Sequence, residues 1–141
     1  MKRRKRTEIL VEGDPALAKR FAEEIREHYS VREISQPEHG TTMLKMRETA
    51  KNSLFYIGEV LMTEAKVEVE GQIGIGMAVG MKEELVKNLA IIDAAYKARL
   101  PEIESWKNSL LEEEKRIEEA KIQEQQEILK TKVNFDTMDV Q

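Results

Sequence analysis

From Ile73 to Met81 every second residue is large and apolar (Ile73, Ile75, Met77, Val79, Met81), while the positions between are Gly74, Gly76, Ala78 and Gly80. Successive side chains of a strand point to opposite faces, so one face is expected to fill a core and the other to be nearly bare. An interior glycine costs roughly 0.5–1 kcal/mol relative to alanine, and in a strand it marks close approach of a backbone or a ligand. The bare face is therefore expected to lie against a partner. Upstream, Phe55, Ile57, Leu61, Ala65, Val67 and Val69 share one parity, and the other parity changes from Leu54, Tyr56, Val60 and Met62 to Glu64, Lys66, Glu68 and Glu70. This predicts a long strand that begins buried on both faces and ends exposed on one. Glu70-Gly71 closes a short hairpin between the two strands, the glycine accepting positive φ.

Helical spacing brackets these strands. Asp14-Pro15 supplies an N-cap carboxylate and a first-turn proline, and Leu17, Phe21 and Ile25 recur at four-residue spacing to predict a helix over Pro15–His28. A shorter helical turn is expected around Thr7–Val11, broken by Gly13. Tyr29–Gln36 and Thr41–Arg47 read as arms of an antiparallel hairpin turned at Pro37-Glu38-His39-Gly40, which makes His39 a solvated turn residue. After Gly80 a helix is expected over Lys82–Arg99, with Leu85, Leu89, Ile92 and Tyr96 as its stripe. Pro101 opens another helix to about Lys130, whose apolar content thins after Ile103, Trp106, Leu110 and Ile117. Val133, Phe135 and Thr137 alternate with polar residues and predict an extended tail able to dock on another protein. The fold class is α+β: an antiparallel sheet of about four strands covered by helices. Residues 1–100 are expected to form the core domain, with a basic extension at 1–12, and residues 101–141 a helical arm and tail.

Composition narrows the chemistry. The chain has 141 residues, enough for one domain with a real core, and contains no cysteine and only two histidines, His28 and His39. Disulfides, thiolate metal sites and a cysteine nucleophile are excluded. The net charge of −4 conceals a basic run, Lys2 to Arg6, worth +5, so the remainder carries −9. That balance argues against a nucleic-acid binder, and the run itself reads as a solvated tail. Met1–Arg6 lacks the apolar core of a signal peptide, and no run approaches the roughly 18 apolar residues of a membrane span. A cytoplasmic location is expected.

Candidate functional residues are few. At 100° per residue Asp93 falls inside the apolar face of its helix, and a buried carboxylate needs partners. It is expected to be either structurally satisfied or part of a shared active site. Gly74–Gly80 resembles a phosphate loop only superficially, because large apolar residues interleave with strand parity and the Gly-Lys-Ser/Thr ending is missing. Glu59 and Glu64 have opposite parity and so cannot pair on one face of a regular strand. Ser53 has no visible histidine base. A second reading has this chain itself hold a nucleotide at Gly74–Gly80, with Asp93 or Glu59 contributing. A third is a scaffold that self-associates through Ile103, Trp106, Leu110 and Ile117.

The ordered series Leu54-Phe55-Tyr56-Ile57-Gly58-Glu59, Thr63-Glu64-Ala65-Lys66-Val67, Gly71-Gln72-Ile73-Gly74, Gly80, Ile91-Ile92-Asp93-Ala94 and Lys132-Val133-Asn134-Phe135-Asp136-Thr137-Met138 resembles the PhnG family over about Gly13–Met138. The resemblance implies a subunit of the bacterial carbon–phosphorus lyase system, assembled with PhnH-, PhnI- and PhnJ-like partners. In that system an alkylphosphonate displaces adenine from ATP to give ribose 1-alkylphosphonate 5-triphosphate. ATP is thus implied as a substrate of the complex, with no cofactor bound by this subunit alone and no catalytic or metal-binding residue carried over. The partner-interface candidates are Gly74, Gly76, Ala78, Gly80, Trp106, Leu110, Val133, Phe135 and Met138.

Overall fold

The computed structural model describes the backbone of residues 1–47 and 54–139 and the side chains of residues 1–43 and 58–132. In chain order the elements are α1 (Arg3–Glu12), α2 (Pro15–His28), β1 (Val31–Arg47), β2 (Leu54–Val69), β3 (Gln72–Val79), α3 (Glu83–Lys97) and α4 (Glu102–Asp139). The fold is α+β. The strands form one antiparallel sheet in the order β1-β2-β3, so among the described residues there are three strands rather than about four.

The difference lies at Pro37-Glu38-His39-Gly40, which runs through the middle of β1 instead of turning the chain. Ser35 pairs with Lys66 and Glu38 with Glu64, so one extra residue is absorbed as a bulge at Gln36-Pro37. A proline lacks the N–H a central strand needs but is tolerated at a bulge on an edge strand, and β1 is such an edge. The β2–β3 connection follows expectation: Val69 pairs with Gln72 across Glu70-Gly71, and both loop residues have positive φ, 50° and 76°, as a type I′ turn requires.

The helices pack on one face of the sheet. Asp14 Oδ1 accepts a hydrogen bond from the Ala16 amide at 3.0 Å, which caps α2 ahead of Pro15. Ala65, Val67 and Val69 of β2 and Ala78 of β3 join Phe21, Ile25, Leu89, Ile92 and Trp106 in the core. The Phe21 and Trp106 rings stack at 4.5 Å, and Trp106 Nε1 donates to Glu24 Oε2 at 2.9 Å. Trp106 and Leu110, expected as interface or self-association residues, are thus core residues of their own chain, each 1% exposed. On the first turns of α4, Trp106 packs against Phe21 of α2 and Tyr96 of α3.

The faces of β3 are the reverse of the expected ones. Gly74, Gly76 and Ala78 are buried, whereas Ile73, Met77 and Val79 are exposed. A Cβ on Gly74 would lie 2.0 Å from the Ala90 carbonyl oxygen, and one on Gly76 2.0 Å from that of Val86. The close backbone predicted by the glycines is therefore α3 of the same chain. Gly74, Gly76 and Ala78 are not available to a partner. Gly80 lies past the strand with φ of 92° and lets the chain turn into α3.

Both ends of the chain are more helical than expected. The basic run is not a loose tail, because Arg3 to Arg6 form the first turn of α1. At the other end α4 continues as helix through Asp139, so the segment holding Val133, Phe135 and Met138 is not an extended tail. No glycine or proline follows Pro101, and nothing in the local sequence stops the helix. The side chains of Val133, Phe135 and Met138 lie outside the described residues, as does Ser53. β1 and β2 outrun β3, which pairs only as far as Met62. Leu61 is partly exposed there rather than buried between two layers, and the side chains of Leu54–Ile57 fall outside the described residues.

Candidate functional site

Two polar constellations lie where the helices meet the sheet. The first is centred on Asp93 of α3, whose side chain is 6% exposed. Its Oδ1 meets Arg3 Nε at 3.0 Å and Arg6 Nη2 at 3.3 Å. Its Oδ2 accepts from the Ile75 amide at 2.9 Å and Arg3 Nη2 at 3.2 Å, with Lys97 Nζ at 3.3 Å. An ionised carboxylate offers about four acceptor positions, and these donors fill them. The carboxylate therefore ties α1 to α3 and both to the edge of β3. It has no lone pair left for general-base chemistry.

Arg6 is held on two sides, since its guanidinium also lies over the Tyr96 ring, 3.7 Å from the centroid. Burial pushes the Arg6 pKa down, the neighbouring Tyr96 and Asp93 push it back up, and Arg3 adds a smaller downward effect. Burial raises the Tyr96 hydroxyl above its ordinary value, opposed by Arg6. Charge is left over around the carboxylate: Arg3, Arg6 and Lys97 are three cations against one anion.

The second constellation is centred on Thr63, which is fully buried on β2. Its hydroxyl donates to the Gly80 carbonyl and lies 3.0 Å from His39 Nδ1, while His39 Nε2 lies 2.9 Å from Glu83 Oε1. An acid, a histidine and a hydroxyl in line have the outward form of a nucleophilic triad. The hydrogen-bond assignment opposes that reading, because the hydroxyl proton is already committed to Gly80. His39 must then donate to Thr63, which is the wrong direction for activating a nucleophile. The line fixes the β3–α3 corner and ties it to β1. His39 is a strand residue rather than a turn residue, because register places it directly across from Thr63, and it remains exposed to solvent.

The other carboxylate candidate does not join either group. Glu59 is exposed on β2 opposite Met43, beyond the last β2–β3 pair. The glycine amides form no phosphate cradle: this parity of β3 faces β2, as Gly80 N–H donating to Leu61 O at 2.8 Å shows, and α3 covers its side-chain face.

Beside the Asp93 group a groove of about 630 Å³ runs between α1 and β3, with Arg3, Arg4, Leu10, Val11, Met77 and Val79 among its lining residues. Sequence reasoning missed this groove, because it depends on α1 being a helix. The available signal was Arg3 and Arg6, at i,i+3 spacing on one helical face. Among the described residues no helix is long and apolar enough to cross a membrane.

The sequence model of the family described as phosphonate metabolism protein PhnG matches residues 1–140. No curated protein matches the chain.

Proposed function

The chain belongs to the PhnG family of phosphonate metabolism proteins, and from that premise we propose that it is a non-catalytic subunit of a carbon–phosphorus lyase core complex. In this reading it acts with a PhnI-like subunit in forming ribose 1-alkylphosphonate 5-triphosphate from ATP and an alkylphosphonate, and it is assembled with PhnH- and PhnJ-like chains. The observation that carries the proposal is the apolar column Ile73, Met77, Val79 and Met81, all exposed on or just beyond the strand at one side of a charged domain. A patch of large apolar side chains aligned on one strand marks an interaction surface. Ile122, Ile128 and Leu129 add a second exposed apolar set on α4. The satisfied Asp93 and Thr63 groups support a structural use of the polar residues.

Co-expression with the PhnI-like partner, followed by size-exclusion chromatography, tests the proposal. The expected result is one co-eluting species larger than either chain. A chain that elutes as a monodisperse monomer in the presence of its partner overturns it.

A further inference from the structure

The two edges of the sheet are treated differently. Unpaired edge strands invite further pairing, and proteins blunt them with bulges, prolines and charges. β1 carries all three: register slips at Ile34 and at Gln36-Pro37, and Arg32, Glu33 and Glu38 along its length. β3 carries none of them between Gln72 and Val79. Its even-numbered residues bond to β2, so the backbone groups of Ile73, Ile75, Met77 and Val79 point to the free side. That edge is stopped at one end only, where Lys97 Nζ takes the Ile73 carbonyl at 2.8 Å and Asp93 takes the Ile75 amide at 2.9 Å. The Ile75 carbonyl and the N–H and C=O groups of Met77 and Val79 follow, and among the described residues no strand pairs with them.

We infer that this edge, from Ile75 to Val79, takes an extended segment of a partner chain as a fourth strand, with an acidic side chain of that segment set against Arg3 and Arg4. Strand addition derives affinity from main-chain bonds and specificity from alternate side-chain pockets. Leu10 and Val11 of α1 and Leu89 of α3 line the groove alongside and receive the apolar parity of the incoming strand. The acid is specified by charge. The cluster at the stopped end has the cationic surplus described above, and the Arg4 side chain is 93% exposed, with Glu8 at 3.9 Å its one ion-pair partner among the described residues. Glu8 and Glu12 also line the groove, but Glu12 is neutralised by Lys121 at 3.1 Å. A second copy meets the requirement poorly, since Gln72–Met81 contains no carboxylate to bring to Arg3 and Arg4. Which chain supplies the strand rests on the proposed subunit role; the open edge does not.

Amide hydrogen exchange on the full chain, alone and in complex with the PhnI-like partner, tests the inference. The Met77 and Val79 amides are expected to exchange rapidly in the free chain and at least about 100-fold more slowly in the complex. Met77→Pro removes an outward N–H that the internal ladder does not use, so it is expected to fold and to bind at least about tenfold more weakly. Arg4→Glu is expected to weaken binding several-fold at low salt and less at high salt. A complex in which both amides exchange as in the free chain overturns strand addition and leaves the subunit role standing. Slow exchange in a free chain that sediments as a dimer assigns the edge to a second copy and also overturns it. If no complex forms, the subunit role fails, and the edge is decided with an eight-residue peptide of alternating valine and threonine ending in two aspartates. Slowed Met77 and Val79 amides on that peptide uphold the inference, and unchanged ones overturn it.

Discussion

Asp93 is the residue whose loss should be felt most widely. Removing one partner of a buried ion pair strands the other charge and costs roughly 3–5 kcal/mol, and Arg6 is the buried partner. Asp93→Ala is therefore expected to lower the unfolding free energy by about 3 kcal/mol or more in urea titration. Arg3→Ala should cost under about 1 kcal/mol, because Arg3 is 58% exposed and solvent screens its share. Glycine substitutions provide a sharper contrast. Gly76→Ala forces a Cβ into the Val86 carbonyl and is expected to cost about 1–3 kcal/mol or more. Gly58→Ala meets nothing within 4 Å and should be neutral or slightly stabilising in thermal unfolding. Thr63→Val leaves the His39 N–H and the Gly80 carbonyl without their partner, for an expected loss of about 1–3 kcal/mol, while Thr63→Ser keeps most of the stability.

At the scale of elements, α4 is two different structures in one helix. Its first turns bury Trp106 and Leu110, and Trp106→Ala is expected to cost about 3–5 kcal/mol. Beyond Lys121 every described side chain is exposed, so a chain ending at Lys121 should keep its unfolding free energy within about 0.5 kcal/mol while losing helical signal in circular dichroism. Sequence periodicity was informative wherever a single face decides the element: α2, α3 and the β2–β3 hairpin lie where their apolar spacing places them. It failed where the outcome depended on a neighbour. Alternation of large and small residues in β3 specified a close contact but not its source, and bulkier side chains pointed to the wrong face as the core. Pro37 and Gly40 have turn chemistry, yet a bulge on an edge strand accommodates the same residues. The basic start carries like charges that repel in isolation, and what holds it as a helix is distant in sequence: Asp93, 87 residues from Arg6, Glu114 beside Lys5, and the core that takes Ile9 and Leu10. The Asp93 group was legible as a buried carboxylate needing partners; which partners it found was not.

For the whole molecule, the pH response follows from groups shared between elements. The Tyr96 hydroxyl titrates higher in the folded chain than its ordinary value of 10.0, so folding favours its protonated form. That contribution is complete below about pH 10 and is lost as pH rises through the folded value. Urea unfolding between pH 8 and 11.5 should show stability declining on the alkaline side, and Tyr96→Phe should flatten that decline without changing the slope below pH 9. The fold is thus a helical layer locked to one side of a sheet by Asp93 and Thr63, with the other side carrying its apolar column toward solvent. The stopped end of β3 bears on how such a chain survives when it is made in excess. A strand open along its whole length is a template for endless stacking into fibrils, whereas Lys97 and Asp93 leave room for only a short guest. A chain with those two side chains truncated should turn cloudy on storage sooner than one with them intact.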